Sequence, residues 1–124
     1  MGGETDTDPL ARLRAICLGL PEAIERETWG RPTFRIKEKI FAMMAGEHGV
    51  EAVWCKAPVG IQEILVGSDP ERFFRPPYVG PKGWIGVRLD VEVDWEELTG
   101  FLEDSYRLIA PRRLAGLLDQ HNTA

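Results

Sequence analysis

Short stretches of alternating residues in the middle of the chain constrain its fold more than any other feature. In residues 33–36, Phe34 and Ile36 share one side and Arg35 takes the other, as in a strand with one buried face. The same pattern predicts further strands joined by tight turns, and the first two strands form a hairpin. The predicted strands are residues 33–36, 39–45, 50–56 and 84–90, and the predicted turns are 37–38, 46–49 and 80–83.

Apolar residues at helical spacing predict helices at both ends of the chain. The first helix follows Asp8, a good N-cap, and Pro9, which suits a first helical turn. The last two begin after Asp94 and at Pro111. The segments between them are predicted to be a polar connection at 22–30, a short helix at 60–67, a helical turn at 68–71 and an extended segment at 76–78. This order predicts an α+β fold, with an antiparallel sheet and its helices packed on one face.

The chain has 124 residues, which fits one domain spanning 1–124. We expect residues 9–119 to be ordered and residues 1–7 and 120–124 to be flexible. No apolar run approaches the roughly 20 residues that span a bilayer, and the first residues lack the basic and apolar regions of a signal peptide. We therefore expect a cytoplasmic protein that does not bind membranes.

The residue types that carry much of known enzyme chemistry are few and scattered. Cys17, His48, Cys55 and His121 are too far apart in sequence for a short-spaced metal-ligand set. The acids between residues 92 and 104 are expected to form an exposed helical face. No glycine-rich nucleotide loop occurs. We expect no metal, no cofactor and no catalytic residue.

One face of the predicted sheet is left to solvent if the helices cover the other. Alternation assigns Arg35, Trp84 and Arg88 to that face, whereas for Trp54 both orientations fit the pattern. The net charge is −5, yet residues 31–88 carry nine basic and six acidic residues. Arginines and aromatics on an exposed sheet are typical of single-stranded nucleic-acid binding. They are more often a sign of cross-strand stacking that only stabilises a sheet.

Three blocks of the sequence are similar to the MmcQ/YjbR family. They are WGRPTFRI at 29–36 with KIFA at 39–42, YVGPKGWI at 78–85, and DWEEL at 94–98 leading to EDSYR at 103–107. Their order and spacing resemble the family over about residues 9–119. The resemblance implies a CyaY-like, or frataxin-like, α+β fold. It also implies DNA binding, because members are commonly labelled so from a double-wing arrangement, and it brings no catalytic residues.

Frataxins, which the implied fold resembles, use an acidic ridge on their first helix to bind iron. Here the predicted first helix has no acid after Asp8 and contains Arg12 and Arg14. We therefore do not expect frataxin-like iron binding.

Together these patterns predict a small non-enzymatic binding domain with DNA as its ligand. The predicted nucleic-acid or anion contacts are Arg31, Arg35, Lys37, Lys39, Lys82 and Arg88, with Trp84 for stacking and with Tyr78 and Trp84 as pocket walls. One alternative is a pocket for a small anionic metabolite on the same face, in which arginine and lysine clamp a carboxylate or phosphate. The other alternative is an adaptor for a partner protein, which would expose an apolar patch.

Overall fold

The alternating middle of the chain forms one antiparallel sheet. The computed structural model describes residues 8–47 and 50–123, and in this part of the chain the sheet has six strands in the order β1-β2-β3-β4-β6-β5. The strands are β1 (Ile24–Thr28), β2 (Arg31–Ile36), β3 (Lys39–Glu47), β4 (Val50–Lys56), β5 (Phe73–Phe74) and β6 (Trp84–Arg88). The predicted α+β class with an antiparallel sheet is confirmed.

The helices occur along the chain in the order that the apolar spacing predicts. They are α1 (Pro9–Leu18), α2 (Ile61–Ser68), α3 (Trp95–Ile109) and α4 (Arg112–Thr123), and a 3-10 turn covers Gly80–Lys82. The Asp8 carboxylate accepts a hydrogen bond from the Leu10 N–H at 3.1 Å, and Asp94 accepts one from the Glu97 N–H at 3.0 Å. Both predicted N-caps therefore satisfy an amide that the first helical turn leaves unpaired.

The structure differs from the prediction mainly in the connections. The Asp69 carbonyl accepts hydrogen bonds from the N–H groups of Arg72 and Phe73, both at 3.1 Å, so the chain makes one helical turn after Asp69, as predicted. The strand β5, which was not predicted, follows this turn. The predicted extended segment 76–78 leads instead into a turn at 77–79. β3 continues into the turn predicted at 46–49, of which His48 and Gly49 lie outside the described residues. Residues 1–7 and 124, predicted to be flexible, also lie outside them, while α4 continues to Thr123.

The strand β1 lies in the segment predicted to be a polar connection. It pairs with β2 from Ile24 opposite Arg35 to Thr28 opposite Arg31. Its single large apolar residue, Ile24, is 41% exposed, so no alternation of buried and exposed residues marks the strand. A charged edge strand is a common way to discourage further strand pairing. Edge strands of this kind escape a prediction based on apolar periodicity.

The helices cover one face of the sheet and form the core with it. Side chains of β2, β3, β4 and β6 meet apolar residues of α1, α3 and α4. The largest members of this cluster are Leu13, Phe34, Ile36, Phe41, Val53, Phe73, Ile85, Leu98, Leu102, Tyr106 and Leu114. The burial of these side chains supplies the main stabilisation of the fold.

A buried serine ties the longest helix to the centre of the sheet. Ser105 of α3 is fully buried. Its hydroxyl accepts a hydrogen bond from the Lys56 N–H at 2.8 Å and donates one to the Phe41 carbonyl at 2.6 Å. The helix is therefore fixed to β3 and β4 by directional bonds as well as by packing.

We call the opposite side of the sheet the open face. One row of cross-strand partners on it runs through Thr33, Met43, Trp54 and Gly86. Val53 and Cys55 belong to the core, which resolves the ambiguity of β4 and assigns Trp54 to the open face. Alternation along β2 and β6 assigns Arg35, Trp84 and Arg88 to the same face, as predicted.

Candidate ligand-binding site

The open face carries a concave pocket of about 540 Å³. This volume lies within the range of small-molecule sites, roughly 300–1,000 Å³. The lining comes from the β1–β2 turn, the centre of the sheet and the loop before the 3-10 turn, and all but one of its residues are apolar or aromatic. They are Trp29, Arg31, Met43, Ala45, Trp54, Pro77, Tyr78 and Val79.

The floor of the pocket is built by the two central strands. Met43 of β3 pairs with Trp54 of β4, and Ala45 pairs with Ala52 two residues further along the ladder. Side chains two residues apart on a strand share a face. The short alanine side chains therefore leave a depression beside the larger Met43 and Trp54.

Trp29 forms one wall and projects from the turn between β1 and β2. Thr28 pairs with Arg31, so Trp29 and Gly30 are the two central residues of a two-residue hairpin turn. Their φ angles are +55° and +76°, as in the turn type that matches the twist of the strands. The Trp29 side chain is 80% exposed, so the core gains little from it.

Tyr78 forms a second wall from a different part of the chain. It has a φ of +66° and is 89% exposed. The loop that carries it is held by its own backbone, since the Gly80 N–H donates to the Pro76 carbonyl at 3.0 Å. Left-handed backbone costs a residue with a side chain about 1–2 kcal/mol. Both exposed aromatic residues of the pocket, Trp29 and Tyr78, have this backbone conformation.

Gln62 anchors the Tyr78 loop to the rest of the fold. Its side-chain N–H groups donate to the Gly80 carbonyl at 2.8 Å and to the Trp84 carbonyl at 2.6 Å. A Cβ at position 80 would lie 2.7 Å from Cγ of Arg75, so a larger residue there would require the exposed Arg75 side chain to shift. The helix α2 therefore positions the wall of the pocket without contributing to its lining.

Arg31 is the predicted anion-binding residue that lines the pocket. Arg35 lies further along β2 on the same face, but its guanidinium is held within the sheet. It donates to the Thr33 hydroxyl at 3.2 Å, to the Thr28 hydroxyl at 2.7 Å and to the Glu38 carbonyl at 3.3 Å. These bonds make Arg35 a link between β1, β2 and the following turn.

Arg88 is neutralised by its neighbour Asp90. Two of its nitrogens contact both carboxylate oxygens of Asp90 at 3.0 and 2.8 Å. This hydrogen-bonded contact lowers the pKa of Asp90 and raises that of Arg88. Lys37 is similarly paired with Glu22 at 3.2 Å, and its hydrogen bond lowers the pKa of the Glu22 carboxyl.

The remaining predicted residues do not converge on the pocket. Lys39 follows the β2–β3 turn and Lys82 lies in the 3-10 turn, and both are exposed. Trp84 is on the open face but only 8% exposed, and its backbone N–H donates to the Val79 carbonyl at 3.4 Å. The ring is therefore not available for the predicted stacking, and the pocket is lined by Trp29 and Trp54 instead.

Site prediction from the sequence missed Gln62 and six residues of the pocket lining: Trp29, Met43, Ala45, Trp54, Pro77 and Val79. One of these left a local signal, because a tryptophan before Gly30 occupies a turn position that favours Asn or Asp. The others acquire their place only when residues far apart in sequence meet on the sheet.

The fold and the pocket define a class: a small α+β domain whose helices cover one face of an antiparallel sheet and whose other face carries an apolar pocket. Residues 18–108 match the YjbR family, so the chain belongs to this family. The resemblance seen in the sequence blocks is confirmed.

Two solved structures share the fold. One is a Deinococcus radiodurans protein with a DUF419 domain, 24% identical, with a TM-score of 0.68, covering 77% of this chain and 74% of that one. The other is a Pseudomonas syringae protein, 22% identical, with a TM-score of 0.54, covering 71% of this chain and 87% of that one. No curated protein matches the chain.

Two further findings concern the described residues alone. None of the helices in residues 8–47 and 50–123 is both long and apolar enough to cross a membrane. Within the same residues, histidine, cysteine and acidic side chains do not gather in threes as potential metal ligands.

Proposed function

We propose that the protein is a binding domain that holds a small organic anion in the pocket on the open face. The observation that carries this proposal is an apolar pocket of about 540 Å³ with Arg31 among its lining residues. Apolar lining with few polar groups is typical of small-molecule sites. Arginine matches the planar geometry of carboxylates and the oxygens of phosphates.

The expected ligand has an apolar body over Met43, Ala45 and Trp54 and an acid group at Arg31. A pocket of this size accommodates a ligand of roughly 15–20 heavy atoms. At about 0.3 kcal/mol per heavy atom, such a ligand binds with about 4.5–6 kcal/mol, or a dissociation constant of tens to hundreds of micromolar. Affinities in this range are measurable by solution titration.

Single-stranded DNA is a second candidate for the same face. The observation that favours it is the exposure of Trp29 and Tyr78 beside the arginines of β2, since bases stack on exposed aromatics next to cationic side chains. Acid partners oppose it, because Lys37 and Arg88 are already paired with Glu22 and Asp90. We therefore expect any DNA binding to weaken steeply with salt.

An NMR titration of the ¹⁵N-labelled protein separates these two candidates. The probes are 2-naphthoate, an apolar body with a carboxylate, and a short oligothymidylate. Each is added at low salt and at 0.15 M ionic strength, where exposed charges are screened within about 8 Å. The proposal predicts that naphthoate shifts the amides of residues 29–31, 43–45 and 78–79 at both salt concentrations.

A variant that fills the pocket tests the location. Ala45→Phe introduces a ring into the lining and is expected to abolish the naphthoate shifts, whereas Ala15→Phe on the exposed side of α1 should leave them unchanged. An absence of naphthoate shifts in the unmodified protein would refute the proposal. Oligothymidylate shifts that persist at 0.15 M without naphthoate binding would establish the second candidate instead.

A further inference from the structure

The two most exposed aromatic side chains of the described residues face the same pocket. Trp29 is 80% exposed and Tyr78 is 89% exposed, and both line the pocket on the open face. They come from turns almost fifty residues apart in the sequence. Exposed tryptophan and tyrosine are common where proteins bind ligands, because each presents a large flat surface with little side-chain flexibility.

Both residues have left-handed backbone, which is uncommon for bulky side chains. The φ angles are +55° at Trp29 and +66° at Tyr78. In the β1–β2 turn, asparagine or aspartate before Gly30 would fit the backbone better than tryptophan. Burial in the core does not compensate for this choice, since the Trp29 ring is mostly in solvent.

The β2–β3 turn provides an internal comparison. Ile36 pairs with Lys39, so Lys37 and Glu38 are also the centre of a two-residue turn, with φ angles of +51° and +70°. This turn lies at the opposite end of β2 from Trp29, and neither residue lines the pocket. The β1–β2 and β2–β3 turns thus share a left-handed backbone at both central residues. Of these two turns, only the one that borders the pocket carries an aromatic side chain.

We infer that Trp29 and Tyr78 form an aromatic clamp, and that the ligand of the pocket is an organic anion with a flat aromatic ring system. This inference rests on the proposed function and specifies the ligand. Aromatic faces prefer offset-stacked or edge-to-face contacts with other aromatic rings. The ring lies between Trp29 and Tyr78, and its acid group lies at Arg31. A cationic aromatic would be disfavoured by the same arginine.

A matched pair of ligands tests the clamp. 2-Naphthoate and its saturated analogue decahydro-2-naphthoate share carbon skeleton and charge, but only the first is flat. The saturated compound binds at least as well to a pocket that recognises apolar area alone. The clamp predicts that calorimetric titration finds naphthoate about tenfold tighter, because each aromatic contact adds to area burial.

Two variants of the same turn type provide the control. Trp29→Asn removes the ring and suits the turn, and it should reduce the preference for naphthoate to within about threefold. Lys37→Asn makes the equivalent change in the β2–β3 turn and should leave the preference unchanged. Both variants suit their backbone, so both are expected to fold, which thermal unfolding verifies.

The outcomes separate the clamp from the pocket. Equal binding of both compounds to the unmodified protein refutes the clamp while the proposed function stands. Binding of neither compound refutes both. A preference that survives in Trp29→Asn and in Tyr78→Leu also refutes the clamp, since it would then arise from other lining residues.

Discussion

The hydroxyl of Ser105 is expected to stabilise the fold far more than an ordinary surface hydroxyl, and Ser105→Ala tests this. The substitution removes the acceptor of the Lys56 N–H and the donor to the Phe41 carbonyl, bonded at 2.8 and 2.6 Å. Ser105 is fully buried, so water cannot readily replace either bond. A buried polar group left without its partner costs about 1–3 kcal/mol.

For the two groups together we expect a loss of about 2–4 kcal/mol in the free energy of unfolding, since small relaxations recover part of the sum. At about 4 °C per kcal/mol for a domain of this size, the midpoint falls by roughly 8–16 °C. Urea unfolding followed by circular dichroism measures the free energy, with the slope checked for two-state behaviour.

Thr99→Ala is the matched control for this prediction. It also removes one hydroxyl from α3, but the Thr99 hydroxyl donates to the Trp95 carbonyl of its own helix at 2.7 Å and is only partly buried. Hydroxyl bonds to the preceding turn contribute little to a helix, so we expect a change below about 0.5 kcal/mol. Similar losses in the two variants would refute the role assigned to Ser105.

Three further predictions concern the two buried thiols, the contact between Arg88 and Asp90, and the turn that contains Trp29. Burial raises the pKa of the Cys17 thiol and raises that of the Cys55 thiol to about 12. Iodoacetamide at pH 8 should therefore modify neither cysteine in the folded protein and both cysteines in urea. Mass spectrometry of the treated protein measures the modification. The hydrogen bond from Arg88 lowers the pKa of Asp90 below its ordinary value of 3.8. The Arg88–Asp90 contact therefore stabilises the folded protein fully above pH 3.8, and this stabilisation is lost as the pH falls through the lowered pKa of Asp90. Asp90→Asn should therefore flatten the decline in unfolding midpoint below about pH 4. Trp29→Asn should raise the free energy of unfolding by about 1 kcal/mol, because it relieves left-handed backbone without loss of core packing; urea unfolding that shows a loss instead would reveal packing of the ring.

The sequence predicts the sheet and its two faces well because strands that are buried on one side must alternate. The outward side of Arg35 and Arg88 follows from this rule alone. The same rule fails at β4, where Trp54 and Cys55 are both apolar and either orientation fits. It also fails at β1, whose polar residues lie on an exposed edge and carry no alternation.

The pocket is harder to predict because it has no local pattern. Its walls come from residues 29 and 77–79, and its floor depends on the short side chain of Ala45. Basic residues were the obvious candidates in the sequence, yet the folded chain pairs Lys37 and Arg88 with acids. Pairing of charges and meeting of distant turns are properties of the three-dimensional arrangement, and a one-dimensional pattern does not contain them.

Backbone strain by itself does not identify a functional residue in this fold. The Lys37-Glu38 turn has the same left-handed geometry as Trp29-Gly30, yet its side chains form only exposed ion pairs with Glu22 and Arg26. Such pairs contribute little to stability, and neither side chain lines the pocket. What distinguishes Trp29 is that a large apolar ring is left in solvent beside an apolar pocket that a second exposed aromatic also lines. Because the two turns share their backbone and differ in this respect, comparing asparagine variants of each isolates the ring from the turn.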